Sequence, residues 1–299
     1  MKNTSKKIIF FGTDQFSLTP LKKLFENGYT IEAIVTKPDS HRGRGHKLNQ
    51  SVVKKFAIEN NITVLQPEKL SDIKDFFQNM DSRIGVLASF GKIIPGSIID
   101  IFELGIINIH PSLLPKYRGP SPIETAILNG DPETGVSIMQ LTAQMDAGPI
   151  YKQTKYTLNG TETKDQLFEV LAGLGSDNLL DVLPSIIDGS FQSTEQDNSL
   201  ATYCKLIQKE DGLIKPGLFT ADEIERQIRA YSNFPKSKYS LDKNTIVIIT
   251  EAHVALIENT NIDIECKDGN YLIIDRLTAP SGRSMSAKEF VNGYTPAGD

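Results

Sequence analysis

The stretch Ile8-Ile9-Phe10-Phe11-Gly12-Thr13-Asp14-Gln15 decides the fold. Four apolar residues running into a glycine turn read as a short strand buried on both faces, which is how strands of parallel sheets look. Working outward, residues 20–27 read as a helix ended by Gly28, residues 31–36 as a second strand, and residues 52–60 as another helix. A strand at 63–65, a helix near 70–79 and strands at 84–88 and 105–109 continue the alternation. Strands alternating with helices imply an α/β fold with a mostly parallel sheet and helices on both faces. Ligands of such sheets bind beyond the carboxyl ends of the strands, near a topological switch point. That singles out the loops after Phe11, Ala88 and Ile109.

The usual occupant of such a Rossmann-like sheet is a dinucleotide, held by a G-x-G-x-x-G turn after the first strand. Here the turn carries one glycine, Gly12, and the chain has no G-x-x-x-x-G-K-[ST] run, so nicotinamide and ATP sites are not expected. A chain of 299 residues suggests two domains. Residues 1–187 read as the α/β domain, the polar segment 188–205 as a linker, and residues 206–299 as a smaller β-rich domain resembling an OB-like barrel. Within the last, residues 221–230 read as a helix, and 246–249, 253–257 and 271–274 as short strands. Cys204 and Cys266 are far apart and in no ligand-like spacing, so neither a disulfide framework nor a metal site is expected. Charges or prolines interrupt every apolar run, and the polar start has no signal-peptide pattern, so a cytoplasmic protein without a membrane span is expected. The net charge of −5 argues against a protein that simply coats nucleic acid, while leaving room for a local basic face.

The chemistry concentrates in Asn108-Ile109-His110-Pro111-Ser112-Leu113-Leu114-Pro115-Lys116-Tyr117-Arg118-Gly119. Strand alternation puts Asn108 and His110 on one face and Ile109 on the other. Two polar groups aimed together from the carboxyl end of a buried strand are poorly explained by packing. A second segment, Met145-Asp146-Ala147-Gly148-Pro149, offers a carboxylate in a turn, which alone is ordinary turn chemistry and beside a histidine is a candidate orienting group.

The pairing of N-x-H-x-S-L-L-P-x-Y-R-G with D-A-G resembles the folate-dependent formyltransferase family. The resemblance implies Asn108, His110 and Asp146 as the catalytic set and 10-formyltetrahydrofolate as co-substrate, with no metal. It also implies a folate site lined by Ser112, Leu113, Leu114 and Pro115 and by the loop Ala88, Ser89, Phe90 and Gly91. Members of the family act on glycinamide ribonucleotide, on nucleotide-linked amino sugars, or on methionyl-tRNA.

The segment from Lys37 to Leu48 resembles the basic loop with which the tRNA-acting branch engages the acceptor arm. It implies Arg42, Arg44, His46 and Lys47 as contacts to initiator methionyl-tRNA. Glycine-flanked cations on a loop suit a phosphate backbone, and such a loop is expected to be mobile without tRNA. A monomer is expected. Matches continue at Gln66-Pro67, Ser89-Phe90-Gly91 and Ile228-Arg229-Ala230, so the resemblance covers nearly the whole chain. The second domain departs from it. Residues 206–299 hold 11 Lys and Arg against 14 Asp and Glu, and Asn233-Phe234-Pro235 stands where a tryptophan-bearing turn is usual. The competing expectations are a formyltransferase for a nucleotide-linked amino sugar and a formyltetrahydrofolate hydrolase.

Overall fold

The computed structural model describes residues 6–42 and 47–293, with the backbone alone at 41, 42, 47 and 48. In chain order the first elements are β1 (Lys7–Gly12), α1 (Gln15–Glu26), β2 (Thr30–Val35), β3 (Ser40–Arg42), β4 (Lys47–Asn49), α2 (Val52–Glu59) and β5 (Thr63–Leu65). A 3₁₀ turn at Leu70–Ile73 leads into α3 (Lys74–Gln78), β6 (Ile84–Ala88), α4 (Gly96–Ile99) and β7 (Ile106–His110). Then come α5 (Pro122–Asn129), β8 (Glu133–Gln140), β9 (Ile150–Thr157) and α6 (Lys164–Asp188). After residue 205 follow α7 (Ala221–Ala230), β10 (Ser237–Ser240), β11 (Ile246–Ala255), β12 (Ile264–Glu265), β13 (Tyr271–Thr278), β14 (Ser284–Ser286) and α8 (Ala287–Gly293).

Two compact units emerge. The first takes the chain up to Pro120, Thr134–Tyr156 and Phe168–Cys204; the second takes Ser121–Glu133, Thr157–Leu167 and the chain from Lys205. Contacts therefore cut across the expected division at residues 187 and 205. The reason lies within the second unit: α5 packs on α7, where Arg226 Nε donates to the Leu128 carbonyl (3.0 Å) and Arg229 Nη1 to the Glu162 carbonyl (2.9 Å).

The first unit holds a seven-stranded sheet in the order β5-β2-β1-β6-β7-β8-β9. Its β5-β2-β1-β6-β7 part is parallel, and β8 runs antiparallel to β7. Alternation along β1 sends Ile9 and Phe11 into one apolar cluster with Phe77, Phe90, Ile98, Phe102 and Ile106, under α3 and α4. The Phe11 ring lies 5.7–5.9 Å from those of Phe77, Phe90 and Phe102, tilted or edge-on, as aromatic quadrupoles prefer. On the other face α6 presses Gly175 against Ile109 of β7 and Val136 of β8; a Cβ there would clash with Ile109, so only glycine allows the helix this close. By length and composition α6 is apolar enough to cross a membrane, but Leu171, Leu179 and Leu183 are fully buried in this unit. Its Asp177 and Asp181 pair with Lys23 and Lys152 at the surface.

Helix α1 begins a turn and more before the expected start at residue 20. The Asp14 side chain accepts from the backbone N–H groups of Phe16 and Ser17, and this N-cap outweighs the proline that signals a helix start. Residues 188–204, expected as a linker, run hydrogen-bonded along the first unit. Ile150 and Thr194 exchange backbone bonds (2.8 Å each), Arg118 N–H donates to the Thr202 carbonyl (2.9 Å), and Cys204 N–H to that of Arg118 (2.9 Å).

In the second unit five antiparallel strands form a sheet ordered β10-β11-β13-β12, with β14 also on β13. Helix α7 opens on a reciprocal Thr220–Glu223 capping box and buries Ala221, Ile224 and Ile228 against Val247, Ile249, Leu272 and Leu277. The two strands expected at 246–249 and 253–257 are one strand, β11. A bulge between Ile249 and Ala252 shifts its phase, which breaks the alternation that the sequence reading relied on. Both cysteines are buried thiols outside any disulfide; burial pushes the Cys266 thiol up to about 11.

Candidate active site

Ile106, Asn108 and His110 share the face of β7 that continues the Phe11 cluster, so the two polar side chains extend an apolar face toward the carboxyl end of the strand. Both are deeply buried, at 6% and 4% exposure, which demands partners. His110 Nε2 lies 2.9 Å from the Tyr117 carbonyl oxygen. A carbonyl only accepts, so Nε2 carries the hydrogen and the neutral ring keeps its lone pair on Nδ1. Nδ1 faces Asp146 Oδ2 at 3.7 Å, within reach of a charge pair but longer than a hydrogen bond.

The orienting hydrogen bond to the imidazole therefore comes from Tyr117 and not, as the sequence suggested, from Asp146. The carboxylate is itself held elsewhere: its Oδ2 accepts the Gly119 N–H at 2.8 Å. The loop after β7 thus grips both groups, His110 through a carbonyl and Asp146 through an amide. Tyr117 and Asp146 have left-handed backbones, with φ of 60° and 48°, and Ser89 in the loop after β6 has φ of 44°. For a bulky side chain such as tyrosine this conformation is strained, and strain persists where surrounding contacts over-determine the backbone.

Those contacts are visible. Ser137 of β8 is fully buried; its Oγ donates to the Ser112 carbonyl (2.6 Å) and accepts from Leu114 N–H (3.1 Å) and Gln153 Nε2 (2.8 Å). Gln153 also donates to the Leu114 carbonyl, and Ser112 Oγ to that of Lys116. The Leu114–Pro115 peptide bond is cis. Neither Ser137 nor Gln153 stood out in the sequence, since an isolated polar residue in a strand carries no motif. In the D-A-G turn, a Cβ on Gly148 would overlap the Gln140 carbonyl, so glycine is required by close approach.

Of the eight residues expected around folate, Ser112 and Leu114 are occupied within the protein. Phe90 is a core residue, 1% exposed, and Ala88 is buried. Ser89 and Gly91 are exposed, and Leu113 and Pro115 half-buried, so these four keep accessible surface. The loop 88–91 is fastened to the turn after β1: Ser89 Oγ donates to Asp14 Oδ2 (2.5 Å), Thr13 Oγ1 to the Phe90 carbonyl (2.9 Å) and Ser17 Oγ to the Ala88 carbonyl (2.6 Å). A surface cavity of about 520 Å³ over Lys74, Gln78, Ser97, Asp100 and Ile101 shares none of these residues.

The basic segment is a hairpin of β3 and β4, with Arg42 paired to Lys47 in its backbone register. Arg44 and His46 lie outside the described residues. The base of the hairpin is anchored: Gln66 Nε2 donates to the Lys37 carbonyl (2.8 Å) and to Asp39 Oδ1 (2.7 Å). Lys54, hydrogen-bonded to Asp39 at 2.6 Å, with help from Gln66, holds that carboxyl below the usual carboxylate range.

Residues 6–183 match the family model described as formyl transferase, and residues 206–295 that of its C-terminal domain. A methionyl-tRNA formyltransferase of Dictyoglomus thermophilum is 38% identical, over 96% of this chain and 97% of its own. One from Dehalococcoides mccartyi is 35% identical, over 96% and 95%. Among solved structures, an N-formyltransferase of Helicobacter canadensis in complex with folinic acid and dTDP-3-aminofucose shares the fold, with a TM-score of 0.68 at 22% identity, over 90% of this chain and 98% of that one. By sequence along both domains and by fold, this chain belongs to the formyl transferase family.

Proposed function

We infer that the protein transfers the formyl group of 10-formyltetrahydrofolate to the free amino group of initiator methionyl-tRNA. The observation that carries this reading is the end-to-end similarity to methionyl-tRNA formyltransferases in a chain that also brings His110 Nδ1 to 3.7 Å from Asp146. Folate enters the reading because a protein of the same fold is bound to folinic acid. It places the enzyme in the cytoplasm, where charged tRNA and reduced folate meet.

The reaction forms a C–N bond between the amine and the formyl carbon and breaks the bond from that carbon to the folate nitrogen. Negative charge develops on the formyl oxygen in between. A side-chain N–H of Asn108 is the donor for it, and one such donor contributes about 3 kcal/mol. His110 takes a proton from the attacking amine on the Nδ1 lone pair and passes it to the departing nitrogen. Asp146 stabilises the imidazolium that exists between the two transfers. No covalent enzyme intermediate and no metal is needed. Ser89, Gly91, Leu113 and Pro115 form the ligand-facing part of the folate site in this reading.

Incubation with 10-formyltetrahydrofolate and methionine-charged initiator tRNA should yield formylmethionyl-tRNA. Formylation of a nucleotide-linked amino sugar but not of tRNA, or release of formate alone, would overturn the substrate assignment. The basic hairpin supplies tRNA affinity through Arg42, Arg44, His46 and Lys47. Replacing Arg42 and Arg44 by alanine should raise the KM for charged tRNA while leaving folate binding intact. It should also flatten the salt dependence of tRNA use by about one logarithmic unit of slope per lost phosphate contact. Equal KM values and equal slopes for parent and variant, measured at two salt concentrations, would remove the hairpin from tRNA recognition.

A further inference from the structure

The segment joining the two sequence domains reaches back into the site. Gln196 is buried, and its Nε2 donates to two carbonyls of the D-A-G turn, that of Asp146 (2.9 Å) and that of Gly148 (2.7 Å). Its Oε1 accepts from Arg118 Nε (3.1 Å) and Nη2 (2.8 Å). This arrangement admits one amide orientation only. A guanidinium solely donates and a carbonyl solely accepts, so a flipped amide would oppose like groups on both sides.

Arg118 carries a second message. It is 3% exposed, and among the described residues its side-chain partners are the neutral amides of Gln196 and Asn198 (2.7 Å). A buried cation without a carboxylate partner is costly to keep, so packing alone does not account for it. Arg118 is also the residue between Tyr117, whose carbonyl holds His110, and Gly119, whose amide holds Asp146. One short loop therefore grips the histidine, the carboxylate and, through Gln196, the backbone of the turn that bears the carboxylate. That turn holds Asp146 in a left-handed backbone, a sparsely populated conformation that the Gln196 bonds to the Asp146 and Gly148 carbonyls help to fix.

We propose that Gln196 is a positioning residue for formyl transfer: oriented by Arg118, its amide fixes the Asp146 turn so that the carboxylate stands beside His110 Nδ1. The proposal rests on the roles given above to His110 and Asp146.

Gln196→Glu tests it. The variant keeps an oxygen for Arg118, and gains a charge partner for the buried guanidinium, but sets an oxygen against two carbonyls where the donor was. A merely structural residue would leave such a variant as active as it is stable. Positioning predicts a melting temperature at or near the parent's with kcat lowered tenfold to about a hundredfold and the KM for folate changed by less than about threefold, since small misplacements act on the transition state. Gln196→Met, similar in volume and without polar atoms, should show the same loss of kcat and serves if Gln196→Glu does not fold.

The Gly119 amide proton, donated to Asp146, reports the turn without reference to activity. In either folded variant its resonance should move upfield and lose protection from exchange. A parent-like kcat together with an unmoved Gly119 resonance would overturn the proposal. If the parent itself transfers no formyl group, the functional reading fails, and the Gly119 signal alone still decides whether Gln196 places Asp146.

Discussion

His110→Ala should lower kcat at least about a hundredfold, and as much as ten-thousandfold, while the protein remains folded, because positioned proton transfer is worth on the order of 10²–10⁴ in rate. The geometry says which half of the ring matters. Nε2 is committed to the Tyr117 carbonyl, so only Nδ1 is available to accept a proton from the amine. His110→Gln separates the two functions, since its amide can still donate toward that carbonyl but offers no basic nitrogen. It should be nearly as inactive as the alanine variant. Single-turnover measurements with saturating folate and charged tRNA isolate this step from product release. A folded His110→Ala protein with near-parental single-turnover rate would remove histidine from the proton path.

Asp146→Asn should also cost at least about a hundredfold in kcat, by a different route. Asparagine tolerates the left-handed backbone at this position and its carbonyl oxygen can still accept the Gly119 N–H, so the turn should persist. What disappears is the negative charge 3.7 Å from Nδ1. Two opposite unit charges about 4 Å apart attract by about 4 kcal/mol at an effective dielectric near 20. Losing even two-thirds of that from the imidazolium accounts for about a hundredfold. The measurement is kcat beside the melting temperature. If Asp146→Asn keeps more than a tenth of the parental kcat with an unchanged melting temperature, the charge is not used, and the carboxylate serves only to accept from Gly119.

How far these residues were legible differs element by element. The strand that carries Asn108 and His110 announces itself, because three isoleucines interleaved with two polar residues on one face have few other readings. Helix α7 is equally plain, with its cap, its capping box and its apolar stripe all local. Helix α6 went unread although leucines recur along it. Its apolar residues spread around much of the circumference because it is buried on a wide face, which blurs the amphipathic signal. The start of α1 was misplaced because Pro20 and Asp14 both signal a helix start, and only the observed capping bonds choose between them. Strand β11 was cut in two by its own bulge.

Taken by itself, the sequence determined the α/β class, the strand whose end bears the chemistry, the residue types Asn, His and Asp, and the family they resemble. Each strand, helix and motif behind these readings is a pattern some ten residues long, where backbone geometry dictates which side chains share a face; the class and the family follow from the order and pairing of such short patterns along the chain. Only the tertiary structure decided that Tyr117 rather than Asp146 orients the imidazole, that Ser137 and Gln153 hold the Ser112–Pro115 loop, and that Gln196 closes on Asp146 from 50 residues away. Hydrogen bonds of that kind depend on where the chain path brings a donor within about 3 Å of an acceptor, and no local periodicity records that distance.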